Sequence, residues 1–230
     1  MSDRDDYIDA IDSLVGGTVP LVEADKIQAI NTALKLHSRQ KPLVVVEDVD
    51  GDGGFDYAVS DLASWSTGFS VIKTVEYPVD DDDETPDVLQ DDQWIIYEKP
   101  AGKFLRFLED KPAADEDIRV AYTALHTCTA LACSVDDFDE QAVQMLCASI
   151  FCDMLATYFA QTQDSTIAAD SVDHNSKARE YAARAKTYRK QYFDHLGIKE
   201  GQVTAASVTR DQDAPSSHRA DKLTHPSRYR

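Results

Sequence analysis

The aspartates between residues 48 and 56 have the spacing of a calcium-binding loop. The ligands at positions one, three, five and nine would be Asp48, Asp50, Asp52 and Asp56. Gly53, at position six, permits the tight wrap around a cation. Position twelve, however, is Val59, where an EF-hand needs a bidentate glutamate. The other interpretation, which the sequence favours, is an acidic hairpin turn between two strands. No cofactor other than calcium is indicated.

A cysteine–histidine pair is the nearest approach to a nucleophile. His126 and Cys128 are two residues apart in a strand-like run, so both would face the same side of the strand. Nucleophilic catalysis also needs an orienting group and an oxyanion site, and the sequence offers neither. Phosphate-loop, Gly-x-Ser-x-Gly and His-Glu-x-x-His motifs do not occur. We therefore expect a protein that is not an enzyme.

The four cysteines do not have the spacing of zinc ligands. Cys128 and Cys133 are five residues apart, as are Cys147 and Cys152. All four lie among apolar neighbours. We therefore predict buried, reduced thiols that serve as small hydrophobic residues.

Composition indicates an acidic protein with a real core. Among 230 residues, 43% are hydrophobic, and 42 acidic residues against 23 basic ones give a charge of −19. This charge argues against a duplex-DNA binder, which usually presents a basic face, and it repels polyanions. No apolar run approaches the roughly 20 residues that cross a bilayer. The charged N-terminus lacks a secretory signal. We expect assembly in a cytosol, without a membrane.

The periodicity changes twice along the chain. Apolar residues at helical spacing predict helices at 5–15 and 23–38. Strand-like runs follow at 43–46, 69–77, 94–97, 103–108 and 118–127, with a hairpin turn at Ala101-Gly102. This spacing predicts an antiparallel sandwich or barrel. Residues 79–92 contain eight acids, which predicts a solvated loop.

Residues 137–196 predict two long helices packed as an antiparallel hairpin. The first, 138–159, is apolar almost all round, so several partners must cover it: the sheet or a neighbouring subunit. The second, 174–196, has a single apolar stripe, and Gly197 ends it. The stripe consists of Ala178, Tyr181, Ala182, Ala185, Tyr188 and Tyr192. The first helix should lie centrally and the second nearer the outside.

The C-terminal segment has too few apolar residues to form a core. From residue 201 onward, five bases and three acids give it a net charge of +2. It is either a loose terminus or an arm that orders on a partner. The chain thus divides into N-terminal helices (1–40), an inserted β domain (41–132), a helical hairpin (133–197) and a C-terminal segment (198–230). We predict an α+β fold: a helical bundle with an inserted small antiparallel β domain.

Several stretches together resemble the head–tail adaptor, or connector, proteins of tailed bacteriophages. They are the helix at 23–38, Trp65-Ser-Thr-Gly-Phe-Ser-Val-Ile72, Val75-Glu-Tyr-Pro78 and Val120-Ala-Tyr-Thr-Ala-Leu-His126. In the hairpin they are Ala142-Val143, Ala148 to Ala156, Ala168 to Val172, Ser176-Lys177 and Tyr181-Ala-Ala-Arg-Ala-Lys186. The resemblance is one of pattern and order over most of residues 23–197. The acidic loop at 79–92 and the long polar tail depart from the family pattern.

The resemblance implies a structural virion protein of the phage neck, assembled in the host cytoplasm. It implies a ring, usually of twelve subunits, between the portal and a tail-side neck protein, through which DNA passes without specific binding. It also implies a C-terminal arm that reaches the portal. The partner-binding residues would be Arg210, Arg219, Lys222, Arg228, Tyr229 and Arg230. The alternatives are a calcium-stabilised binding module and another tail-completion component.

Overall fold

The computed structural model describes residues 2–16, 20–80, 86–109, 111–114, 116–161 and 174–198. Two helices precede the strands: α1 (Arg4–Val15) and α2 (Glu23–Gln40). The strands are β1 (Leu43–Asp50), β2 (Asp56–Ala58), β3 (Ile72–Glu76), β4 (Trp94–Lys99), β5 (Gly102–Phe107) and β6 (Asp117–Ala124). Two long helices end the described chain: α3 (Asp137–Gln161) and α4 (His174–Leu196). The predicted α+β fold is confirmed, whereas the division into four domains stays a prediction.

Local side-chain chemistry determines where α1 begins and ends. The Asp3 carboxylate accepts from the backbone N–H groups of Asp5 and Asp6, and the Asp6 carboxylate accepts from the N–H of Asp3. This reciprocal capping satisfies donors that the first helical turn leaves unpaired. Gly16, with φ of 68°, ends the helix in a conformation that glycine adopts without strain.

Helix α3 lies at the centre of the helical bundle. It packs along α4, and α1 and α2 cover its other sides. The cover that we expected from the sheet or a second subunit therefore comes from the chain's own N-terminal helices. By length and composition α3 could span a membrane, a test that core helices also pass. Its buried residues are Asp139, Ala142, Val143, Leu146, Cys147, Ala148, Ser149, Phe151, Cys152 and Leu155.

Helices α3 and α4 run antiparallel, as predicted. Phe159 stacks on Tyr181 at one end, with ring centroids 5.6 Å apart, and Asp139 meets His195 at the other. Midway, the Ser149 hydroxyl donates to the Ala185 carbonyl at 2.9 Å. Most of the predicted α4 stripe faces inward, but Ala182 is exposed. Helix α4 thus lies on the outside of the bundle.

Helix α4 also holds the end of α1. The Arg184 guanidinium donates to the Val15 carbonyl and the Tyr188 hydroxyl to the Leu14 carbonyl, each at 2.8 Å. These carbonyls belong to the last turn of α1 and have no partner within their own helix. The contacts join the two ends of the described chain.

Six strands form two three-stranded antiparallel sheets that share a core. Sheet A has the order β1-β6-β3, and sheet B has the order β2-β5-β4. Val75, Val120 and Tyr122 from sheet A are buried with Leu105 and Phe107 from sheet B. This confirms the sandwich-like prediction. The turn at Ala101-Gly102 is confirmed as well, since Lys99 pairs with Gly102.

The prediction of a hairpin turn between β1 and β2 is wrong. These strands do not pair with each other: β1 pairs with β6, and β2 pairs with β5. The segment therefore carries the chain from one sheet to the other. Gly51 donates to the Glu116 carbonyl at 2.8 Å and lies against the Ala113 backbone, where a Cβ atom would clash.

The acidic segment at 79–92 is only partly the solvated loop that we predicted. Residues 81–85 lie outside the described residues. Leu89 donates its N–H to the Val75 carbonyl at 2.8 Å, and Val88 forms a β-bridge with Glu76. Val88 and Leu89, near the end of this segment, therefore cover part of the outer edge of β3.

The prediction of reduced thiols is confirmed at two of the four cysteines. Cys147 and Cys152 are free and buried, and burial raises the pKa of Cys152 to about 11. Cys128 and Cys133 instead form a disulfide, so the prediction is wrong there. A tight turn, in which Thr129 donates to the Ala132 carbonyl, brings the two cysteines opposite each other in a β-bridge.

Truncating the α3 core should cost far more than the same truncation at its surface. Phe151 is fully buried, so Phe151→Ala should lower the free energy of unfolding by about 3–5 kcal/mol. Phe138, on the same helix, is 79% exposed, so Phe138→Ala should change it by less than about 1 kcal/mol. Urea unfolding of both variants measures the difference, and equal losses would contradict the central position of α3.

Candidate partner-binding site

The C-terminal residues that the sequence assigns to partner binding lie outside the described residues. They are Arg210, Arg219, Lys222, Arg228, Tyr229 and Arg230, and their role stays a prediction. The structure does describe where this segment starts. Gly197 has φ of 68°, and Ile198 donates its N–H to the Phe193 carbonyl at 3.1 Å. This C-terminal cap gives the chain a defined direction as it leaves α4.

A buried carboxylate fixes the end of α4 to the rest of the bundle. Asp139, in the first turn of α3, has a side chain only 3% exposed. It accepts from the Lys41 ammonium at 2.6 Å and from His195 Nε2 at 2.9 Å. Lys41 lies between α2 and β1, so one carboxylate joins three parts of the chain. We call Asp139, Lys41, His195 and Gly197 the arm base.

The pKa shifts at the arm base favour the charged forms of Asp139 and Lys41. Burial, the largest single effect, would raise the pKa of Asp139. The hydrogen bonds from Lys41 and His195, together with the positive charge of Lys41, oppose burial, and the pKa of Asp139 lies below its ordinary value. The hydrogen bonds that the Lys41 ammonium donates to Asp136 and Asp139 raise the pKa of Lys41. Both groups are therefore charged at neutral pH.

A second polar contact lies deeper in the bundle. His37 on α2 is fully buried, and its Nδ1 lies 3.0 Å from the Tyr192 hydroxyl on α4. Burial, together with the nearby His126, lowers the pKa of His37 to about 4. His37 is therefore neutral at pH 7. It connects α2 to the last turns of α4, beside the arm base.

The surface next to the arm base combines acidic groups with one large apolar side chain. Phe138 is 79% exposed, and its ring lies 5.0 Å from that of His195. Asp136 and Asp137, which precede Phe138 in the sequence, and Asp194, which precedes His195, are exposed as well. An exposed aromatic ring beside the point where the chain leaves α4 is suited to contact with another protein.

The aspartates of the proposed calcium loop mostly have other partners. Asp48 accepts from Arg119 at 2.8 Å, and Asp56 accepts from Lys99 at 2.6 Å. The Asp52 carboxylate accepts from the N–H of Gly54. Within the described residues, no group of three or more His, Cys, Asp or Glu side chains is placed to hold a metal ion. Calcium binding by Asp48, Asp50, Asp52 and Asp56 stays a prediction.

The structure contradicts the cysteine–histidine nucleophile. Cys128 is bound to Cys133 and has no free thiol. The His126 ring nitrogens lie 3.0 Å from the Lys41 carbonyl and 3.2 Å from the Ser134 hydroxyl. The Ser38 hydroxyl accepts from the N–H of His126 at 2.9 Å. His126 therefore positions the segment that joins β6 to α3.

Sequence reasoning missed Asp139 because it lies in an acidic first turn. Acids there normally face solvent and favour the helix dipole. The sequence does contain the two partners of Asp139, Lys41 just after α2 and His195 in the last turn of α4. Their proximity arises only from tertiary packing.

Comparisons with known proteins place the chain in no established family. No family profile matches it, and neither does any curated protein. One similar solved structure is the neck of an empty GTA particle, computed with sixfold symmetry. It is 14% identical, covers 76% of this chain and 87% of its own, and has a TM-score of 0.29. Another is the neck of a native GTA particle, computed with twelvefold symmetry. It is 14% identical, covers 77% and 86%, and has a TM-score of 0.25.

Removing the buried carboxylate should loosen the arm base. Asp139→Ala leaves Lys41 and His195 without their shared acceptor, so the free energy of unfolding should fall by about 1–3 kcal/mol. Asp137→Ala is the matched control, because it removes an exposed acid from the same helical turn and should cost less than about 1 kcal/mol. Chemical unfolding measures both variants. Equal losses would show that Asp139 acts only through the helix dipole.

His37 should make the protein sensitive to mild acid. Its pKa is about 4 in the folded chain and 6.5 unfolded, so the unfolded state takes up the proton first. The free energy of unfolding is therefore unaffected by protonation of His37 above pH 6.5. It falls by about 3 kcal/mol as the pH falls towards 4. His37→Gln should remove this part of the loss. Unfolding curves at several pH values test it, and identical pH dependence in both proteins would contradict it.

Proposed function

We propose that this chain is a structural subunit of the neck of a tailed-phage-like particle. In this role it forms a ring adaptor between the portal and the tail-side neck proteins. The ring belongs to the virion and leaves a channel for DNA. The proposal follows the order of elements that the sequence shares with head–tail adaptor proteins.

The observation that carries the proposal is the arm base. A long antiparallel helix pair ends where the buried Asp139 carboxylate fixes it, and a polar segment of 32 residues, 199–230, follows in the sequence. From residue 201 onward this segment has a net charge of +2, while the rest of the chain has −21. A basic arm on a rigid acidic body is suited to binding a partner surface of opposite charge.

The acidic body also suits a channel through which DNA passes. A surface that repels phosphate does not retain a moving duplex, because specific retention requires basic contacts. The cations Arg119, Lys99 and Arg106 each lie within 4 Å of an acidic side chain. Local pairing of this kind leaves fewer basic groups to bind phosphate.

Truncation after Ile198 should separate folding from docking, because it keeps the hydrogen bond from the Ile198 N–H to the Phe193 carbonyl. The chain that ends there keeps α4 and the Asp139 ion pairs, so its melting temperature should match that of the full chain. It should no longer join tailless heads that carry the portal. Co-sedimentation with those heads measures docking, and normal docking of the truncated chain would contradict the arm.

Substitutions that remove charges from the C-terminal segment of the full chain provide a second test with a matched control. Replacing Arg219, Lys222 and Arg228 by Gln should weaken docking about tenfold, which is about 1.4 kcal/mol. Replacing Asp211, Asp213 and Asp221 by Asn changes the same number of charges in the same segment. That variant should dock at least as well as the wild type.

A further inference from the structure

Each sheet has an open edge. In sheet A the open edge is β1, since part of the edge of β3 pairs with the segment around Val88 and Leu89. Sheet B ends in two edge strands, of which β4, with six residues, is longer than β2, with three. No strand pairs with the open edge of β1 or of β4 in the part of the chain that the structure describes. An open edge presents a row of backbone donors and acceptors that can pair with another strand.

The strand register identifies the free backbone groups. Gly51 donates to Glu116, so the alternate residues 43, 45, 47 and 49 bond to β6. The N–H and C=O groups of Val44, Val46, Asp48 and Asp50 therefore point away from sheet A. Leu108 donates to Gln93, so the same alternation directs the backbone of Trp94, Ile96 and Glu98 away from sheet B.

The apolar part of each edge, residues 43–46 of β1 and residues 94–97 of β4, contains no charged residue and no proline. Strand β1 is eight residues long, without proline or lysine, and Val44 and Val46 are 57% and 59% exposed. On β4, Ile96 and Tyr97 are each 40% exposed. Folded proteins commonly protect long apolar edges with charge, proline or a covering segment. Two such edges on one acidic chain indicate places that a partner covers.

The two edges are complementary in charge and in apolar content. Strand β1 contains three acids and no base, whereas residues 94–107 of the β4–β5 ribbon contain three bases and one acid. Both strands begin with apolar residues and end with charged ones. In a parallel pair the outward backbone groups of the two strands interleave, so Val46 bonds to residues 94 and 96 and lies beside Ile95, and Asp50 lies beside Lys99. An antiparallel alignment would instead bring Asp50 towards Asp92.

We propose that β1 of one copy pairs in parallel with β4 of a second copy, which joins sheet A of one subunit to sheet B of the next. The edges of β1 and β4 differ, so each copy keeps one of these two edges open after pairing. Such a head-to-tail contact repeats and closes into a ring when the rotation allows. This interface specifies how neighbouring subunits would join in the proposed neck ring. The closure of the contacts into a ring rests on the proposed function.

Pairing of β1 with β1 is less favourable. It would bring Glu47, Asp48 and Asp50 of both copies to one seam, and like charges across a strand pair destabilise it. The head-to-tail arrangement avoids this repulsion.

Disulfide trapping between two single variants of the full chain tests the interface. Cysteines at 46 and 95 would lie side by side on adjacent parallel strands, within the span of a disulfide. The four native cysteines do not compete, since two are buried and two are joined to each other. A mixture of Val46→Cys and Ile95→Cys should give a mixed dimer under oxidation. Each variant alone should stay mostly monomeric.

Two controls make the result specific. Leu131→Cys, at a position 91% exposed and outside all the strands, measures random collision with Val46→Cys. Val44→Cys mixed with Glu98→Cys reports antiparallel pairing and should give no more dimer than that collision control. Circular dichroism verifies that each variant is folded.

Three results would overturn the proposed interface. They are mixed dimers no more abundant than with Leu131→Cys, predominant Val46→Cys homodimers, and efficient trapping of the antiparallel pair. If the full chain still docks on portal-bearing heads in any of these cases, the interface is wrong and the neck function stands. If trapping succeeds but docking fails, the chain self-associates and the neck function is wrong.

Discussion

Removing α3 from water is the requirement around which the helical part of the chain is arranged. The helix is apolar on almost every side, so a single partner would leave part of it exposed. Helices α1, α2 and α4 surround it, although α1 and α2 are separated from α3 in sequence by the entire β domain. At roughly 25 cal/mol for each Å² of apolar surface, this burial is the main driving force for joining the two helical halves. The β domain is thereby held with both its connections at one place on the bundle.

The position of α3 also explains the polar contacts at its first turn. Once the helix is central, Asp139 is buried, and a buried carboxylate needs partners to remain charged. Lys41 and His195 supply them from the connection to β1 and from the end of α4. A buried ion pair adds little net stability but strongly disfavours alternative arrangements in which one partner is missing. In this protein it makes the position of the end of α4 depend on the packing of the core.

Local sequence pattern predicted the elements well and their long-range pairing less well. The bounds of α4 agree with the prediction because an apolar stripe and Gly197 are both local signals. The passage from β1 to β2 was mistaken for a hairpin because sheet membership depends on β5 and β6, far along the chain. The burial of Asp139 was missed for the same reason, whereas the Cys128–Cys133 disulfide arises from a local turn that the apolar neighbours of these cysteines did not indicate. Partner binding by the segment after Ile198 rests on charge and on the family resemblance.

The central claim is that many copies of this chain form a ring in the neck of a particle. The most direct test is electron microscopy of the particle whose genome encodes the chain, at a resolution that distinguishes helices. The account predicts a ring of copies between portal and tail, with the α3–α4 pair of each copy visible and the segment after Gly197 directed to the portal. A neck without this chain, or the chain at the tail tip or on the capsid, would contradict it.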